Sequence, residues 1–166
     1  MSKKKIQVRR ATPKDIVNIV KLLKTGWNEQ SVEYAPIDDL RGYRWLLGIL
    51  EEGFIAVADL NGRIVGAACA SPFIPAWSTQ WMLDMEFLYL LPNFRDGAVQ
   101  KGLLDAVEGW ADTVAKLTMI FGIKTGDRPL VKDRMMNIAG WQYVGGNHLR
   151  PFDGQRQEKN DDNAAE

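Results

Sequence analysis

A chain of 166 residues is one ordinary domain, long enough to bury about 70% of its unfolded surface, which excludes a two-domain reading. Hydrophobic residues make up 46% and charged residues 25%, which excludes a disordered or fibrous protein. Lys plus Arg (21) balance Asp plus Glu (21), so no bulk field draws in nucleic acid or an anionic membrane, and a single Cys and a single His exclude an internal disulfide and a Cys/His zinc site within one chain.

The opening Met1–Lys5 has no apolar segment of the kind a secretory signal needs, so a cytoplasmic protein is expected, with Lys3 to Lys5 a solvated arm. Ile6, Val8 and Arg10 alternate with Gln7 and Arg9, which predicts a short strand. Thr12-Pro13-Lys14-Asp15 then reads as a helix start: Thr12 can cap, Pro13 suits the first helical position, and Asp15 lies near the positive end of the dipole. Ile16, Ile19, Val20 and Leu23 follow at helical spacing until Gly26, expected just past the helix end. A loop is expected over Trp27 to Pro36, and a second helix over Ile37 to Glu52 through Leu40, Tyr43, Leu47 and Leu50.

Phe54 to Leu60 and Arg63 to Ala70 flank Asn61-Gly62, a dipeptide suited to the two positive φ values of a tight hairpin turn. The uncharged run Ile64 to Leu83 spans 20 residues, but Pro72, Pro75 and several hydroxyl and amide residues break it into a strand, a loop and another strand, not a membrane helix. Trp81 to Leu91 is a further apolar run ended by Pro92. Helical spacing returns over Val99 to Leu117 through Leu103, Leu104, Val107, Ala111 and Val114. Thr118 to Ile123 is short and β-rich, Val131 to Ala139 is a short helix, and Gln142 to Leu149 is a closing strand. Residues 154–166 form a polar tail expected to be disordered, which leaves residues 1–153 as the single domain.

The order β, α, α, β, β, β, α, β, α, β predicts an α+β fold, a central mixed sheet with helices on its faces in which Trp81 to Ile123 supplies a strand, a helix and a parallel strand. At Glu86 to Leu104 a strand runs through a turn holding Arg95 and Gly97 into a helix. The amides of that helix's first turn face the strand end, a geometry suited to an anion such as a phosphate. An ordinary strand-to-helix turn is the alternative reading.

This segment resembles the GNAT superfamily of N-acetyltransferases, whose fourth strand and following helix commonly read Glu-x-Leu-Tyr-Val-x-Pro-x-Tyr-Arg-Gly-x-Gly-Ile-Gly-x-x-Leu-Leu. The matches are Glu86, Leu88, Tyr89, Pro92, the aromatic Phe94, Arg95, Leu103 and Leu104, with Leu90 and Val99 as apolar equivalents. The wider element order agrees, and Gly140-Trp141 is similar to the family's Gly-Phe pair. The resemblance covers roughly residues 6–149 and implies a mostly antiparallel GNAT-like sheet with helices on both faces. It implies acetyl-CoA as co-substrate, lying between the splayed ends of the fourth and fifth strands. Its contacts would be the strand residues Leu88, Tyr89 and Leu90 and a diphosphate cradle of Arg95, Asp96, Gly97, Ala98, Val99, Gln100 and Lys101. The backbone near Leu90 would align the thioester, and Glu86 matches a position that acts as, or orients, the general base. A base is needed because a primary amine with a pKa of about 10.4 arrives protonated and only its neutral form attacks.

The sequence departs from the family pattern where Asp96, Ala98 and Gln100 stand for glycines and where Met136 falls on the tyrosine that often serves as acid. Tyr143 or water is the expected substitute, and a thiol of pKa about 8.5 leaves readily as thiolate. These departures carry an alternative: a catalytically inactive GNAT-fold protein acting as a binding or assembly component, in a phage for example. The acceptor is expected to be a small-molecule or peptide amine, with no nucleic-acid or membrane partner, and a homodimer is left open.

Other residues have plainer readings beside functional ones. Asp84 shares a strand face with Glu86 and could form a carboxylate pair with it, or both could solvate a strand end. Arg95 could contact phosphate or pair with Asp96. Cys69 is expected to be a buried inert thiol, His148 a solvated or core side chain, and Met135 and Met136 packing residues. Trp77 and Trp81 lie in a loop that could edge an acceptor groove.

Overall fold

The computed structural model describes residues 6–29, 36–95, 97–122 and 129–142. Strand β1 (Gln7–Arg10) leads through a turn at Pro13–Asp15 into α1 (Ile16–Asn28) and α2 (Asp39–Glu52). The hairpin β2 (Phe54–Leu60) and β3 (Arg63–Phe73) follows, then β4 (Met82–Leu90), α3 (Gly97–Trp110), β5 (Met119–Ile120) and α4 (Pro129–Ile138). The five strands lie in the order β1-β2-β3-β4-β5; the first four are antiparallel neighbours and β5 runs parallel to β4. This is the α+β architecture that the element order predicts. The expected closing strand, apart from Gln142, lies outside the described residues, as does the polar tail.

Alternation along the inner strands divides the core into two layers. Ile55, Val57, Ala67 and Cys69 face α1 and α2, meeting Ile16, Ile19, Val20, Leu22, Leu46 and Ile49. Ala56, Ala58, Val65, Ala68, Ala70 and Met85 face the other way, onto Leu103, Leu104 and Val107 of α3 and Met136 of α4. Small side chains therefore dominate the middle of the sheet. The hairpin turns as its dipeptide requires, with φ of 54° at Asn61 and 88° at Gly62.

The start of α1 is tied to the sheet by one ionic cluster. Arg9 donates from Nη1 and Nη2 to the Asp15 carboxylate at 2.8 and 2.9 Å, and from Nε and Nη2 to Asp59 Oδ2 at 3.0 and 2.9 Å. Asp15 also accepts from the Thr12 amide and hydroxyl at 2.8 and 2.9 Å. The expected capping pair is thus present with Asp15 as its centre. The Arg9 guanidinium and the Thr12 donors, acting against burial, hold the Asp15 carboxyl well below its ordinary value, at about 2.

Several expected boundaries shift; α2 starts at Asp39 instead of Ile37, and α4 at Pro129 instead of Val131. Gly26 does not follow α1 but lies within it, since the helix continues to Asn28. An added Cβ there would sit 2.7 Å from the Tyr89 ring, so the glycine serves close packing instead of termination. Strand β3 extends past Ala70 to Phe73, where only β4 pairs with it and a proline is tolerated at an edge. Helix α3 starts two residues before Val99, at Gly97, and its end widens into a looser turn over Ala111–Ala115 that Lys116, at φ 53°, closes. Of the expected strand Thr118 to Ile123, only Met119 and Ile120 pair with β4.

Two stability measurements follow from these contacts. Asp15→Asn should lower stability at neutral pH by about 1–2 kcal/mol, and because the folded-state pKa is depressed, the difference from wild type should vanish as pH falls from about 4 toward 2 in urea titrations. Gly26→Ala should destabilise, since overpacking at about 1–3 kcal/mol exceeds the gain in helix propensity of about 1 kcal/mol, whereas Gly48→Ala on open α2 surface should stabilise by about 0.5–1 kcal/mol.

Candidate functional site

Among the described residues the ladder between β4 and β5 is two pairs long. Leu83 and Asp84 pair with Met119 and Ile120, and the Leu83 amide donates to the Thr118 carbonyl at 2.9 Å. Beyond Asp84 β4 runs on to Leu90, and among the described residues nothing on the β5 side pairs with it. Backbone groups of a strand alternate sides, and the Leu91 amide bonds to the Val65 carbonyl of β3 at 3.0 Å. The main-chain groups of Leu90 and Leu88 therefore turn toward the β5 side.

Glu86 lies just beyond the last of these pairs, at an irregularity in the β3–β4 ladder. Cys69 pairs with Phe87 and Ala70 with Met85, so Glu86 is the extra residue of a β-bulge. The bulge resets the side-chain alternation. Met85 packs in the α3 layer, but Phe87 and Tyr89 pack in the α1/α2 layer while Leu88 and Leu90 pack against α3. Glu86 accepts a 2.6 Å hydrogen bond from the Ser71 hydroxyl on β3. Ring contact between Phe87 and Trp45, at 6.3 Å between centroids, brings α2 over this part of β4.

At the carboxyl end of β4, Pro92 to Phe94 form one tight turn and α3 begins at Gly97, directing the positive end of a 14-residue helix toward the strand end. A Cβ added at Gly97 would meet nothing within 4 Å. The Gln100 side chain is drawn toward Met135 Sδ on α4, away from the turn. The Lys101 ammonium bonds to Asp105 at 2.6 and 2.7 Å, one turn along the same helix.

Arg95 sits in a network that local sequence does not announce. It pairs with Glu29, the residue that closes α1, and donates from Nε to the Leu90 carbonyl at 3.0 Å. Its guanidinium lies 5.5 Å from the Tyr89 ring centroid, and Tyr89 donates its hydroxyl to Glu29 Oε1 at 2.7 Å. Burial, with Glu29 alongside, pushes the Tyr89 phenol up to about 12. The Arg95 amide donates to the Pro92 carbonyl at 3.3 Å. Glu29 and Ser71 carried no signal in the sequence; Glu29 falls in an expected loop, and both acquire their roles from partners distant along the chain.

The remaining expectations divide cleanly. Asp96, Tyr143 and His148 lie outside the described residues. Ala98 and Val99 sit in the first turn of α3. Met136 is buried against α3, and Trp141, after Gly140 at φ 92°, donates its indole N–H to Glu108 at 2.6 Å, docking the end of α4 onto α3. Cys69 is fully buried, and burial raises its thiol pKa, with Glu86 adding to the effect, as an inert thiol requires. Trp77 and Trp81 are 90% and 54% exposed beside Ile74 on the β3–β4 connection. Among the described residues there is no cluster of three metal-ligating side chains and no helix long and apolar enough to cross a membrane.

No family model matches the sequence, and no curated protein matches it. Solved structures do match the fold. A predicted acetyltransferase from Clostridium acetobutylicum, solved with acetyl-CoA, superposes with a TM-score of 0.72 at 17% identity, over 89% of this chain and 96% of that one. An aminoglycoside N-acetyltransferase solved with CoA gives 0.68 at 18% identity, over 90% and 95%. A ribosomal-protein-alanine N-acetyltransferase from Brucella melitensis gives 0.67 at 20% identity, over 84% and 86%. The chain therefore has the fold of the GNAT acetyltransferases.

Proposed function

We propose that this protein is an acyltransferase that moves an acetyl group from acetyl-CoA to a primary amine of a small molecule or peptide. The observation that carries the reading is a β4 strand whose pairing with β5, among the described residues, stops at Asp84 and whose far end runs into the N-terminus of α3. The residues present fit such a co-substrate. The first turn of α3 offers a positive helix end and clear space at Gly97 for a diphosphate, and the outward main chain of Leu88 and Leu90 offers a strand edge along which an amide-bearing arm can lie. Acetyl-CoA, when bound, supplies an activated carbonyl and a good leaving group.

Glu86 is the proposed general base. It stands at the bulge in β4, on the face shared with α1 and α2, and takes a proton from the incoming ammonium directly or through water. Ser71 holds its carboxylate in one orientation. The Leu90 amide is the proposed main-chain donor for charge developing on the carbonyl oxygen. Tyr143 remains the proposed acid. Trp77 and Trp81 are proposed to edge the acceptor groove. The acetyltransferase folds solved with acetyl-CoA and with CoA support this reading.

A second reading is a binding or assembly component with a vestigial cleft. Met136 at the usual acid position, turned into the core, favours it. Calorimetry with acetyl-CoA separates the two: micromolar saturable binding is expected, and a folded sample that binds nothing overturns the enzymatic reading. Glu86→Gln should then bind acetyl-CoA as wild type does while turnover falls by ~10²-fold or more in an amine screen; unchanged turnover removes the base role.

A further inference from the structure

We propose that Glu29 is a positioning residue that holds the turn between β4 and α3 in place by acting on Arg95 and Tyr89. The inference rests on the acyltransferase reading only for its effect on co-substrate affinity. At this one carboxylate the end of α1 meets the Tyr89 side chain of β4 and the turn before α3, 60 and 66 residues further along the chain. Each carboxylate oxygen has its own partner, Oε1 with the Tyr89 hydroxyl and Oε2 with the Arg95 guanidinium, so the group cannot rotate without losing one of them.

The remainder of the arrangement depends on that anchor. Arg95 lies across the Tyr89 ring, and its Nε reaches the Leu90 carbonyl, the main-chain acceptor at the end of β4. An exposed carbonyl oxygen there would repel a diphosphate; with Arg95 held by Glu29, that oxygen is covered and the turn is braced against the strand. Gly26 makes the meeting possible, because any larger residue would push the last turn of α1 off the Tyr89 ring. Charge-assisted hydrogen bonds of this kind are directional as well as strong, which suits them to fixing a turn.

The opposite arrangement is a latch, in which Glu29 withholds Arg95 from the diphosphate until the co-substrate competes for it. The two differ in sign. If Glu29 positions the turn, Glu29→Ala should speed amide hydrogen exchange across Phe94 to Lys101 by about 10-fold, leave exchange in β2 and β3 unchanged, and weaken acetyl-CoA binding by about 10-fold with kcat preserved and KM raised. Glu29→Gln, which keeps hydrogen-bonding atoms and loses the charge, should fall between wild type and Glu29→Ala. The double variant with Arg95→Ala should be no worse than the worse single variant, since both remove one linkage. Unchanged exchange, or tighter acetyl-CoA binding by Glu29→Ala, overturns the proposal. If the wild-type protein binds no acetyl-CoA, the acyltransferase reading fails by itself, and the exchange measurement still decides whether Glu29 holds the turn.

Discussion

One residue too many in β4 organises the functional end of this molecule. Because Glu86 has no opposite number on β3, the strand changes which side chains it sends to each layer, and Phe87 and Tyr89 arrive on the face that an unbroken alternation would have given to Leu88 and Leu90. The same irregularity falls just beyond the last described pair of β4 with β5. A bulge bends and retwists its strand, so the end of the β4–β5 pairing among the described residues, the placement of a carboxylate beside it and the aromatic contact with α1 fall at one local irregularity.

The two helical layers have different tasks around that irregularity. On one side, α1 and α2 bring polar groups to the strand: the Glu29 carboxylate at the end of α1, and the Trp45 ring over Phe87. On the other, α3 contributes its helix end and is buttressed from behind by α4 through Gln100 to Met135 and Trp141 to Glu108. A site built between such layers is held by side chains whose own positions are fixed by packing and secondary hydrogen bonds, which is what precise chemistry requires.

The architecture was legible in the sequence because each element carried its own period or punctuation: the Asn61-Gly62 turn, the Thr12-Pro13 start, and the apolar runs of β2 to β4. What local pattern could not reveal were features that depend on partners distant in the chain. The bulge has no glycine to announce it, since Glu86-Phe87-Leu88-Tyr89 reads as smooth strand. Gly26 looks like a helix end until the Tyr89 ring is seen to need its missing side chain. Arg95 pairs with the carboxylate of Glu29, in a stretch that composition alone reads as loop. The resemblance through Glu86, Leu88, Tyr89, Pro92 and Arg95 singles out β4 and the turn after it, while the contacts of individual side chains there depend on tertiary neighbours.

Ala56, Ala58, Ala67, Ala68 and Ala70 are all fully buried at the centre of the sheet. Their size lets both helical layers seat almost on the backbone itself, so an added methylene there has no rotamer to nudge and must lift a whole helix. Mutational freedom is consequently graded across the molecule, least along this alanine column and greatest toward the rim that carries Trp77 and Trp81. Lineages of this chain can vary that rim while the foundation beneath it stays constant.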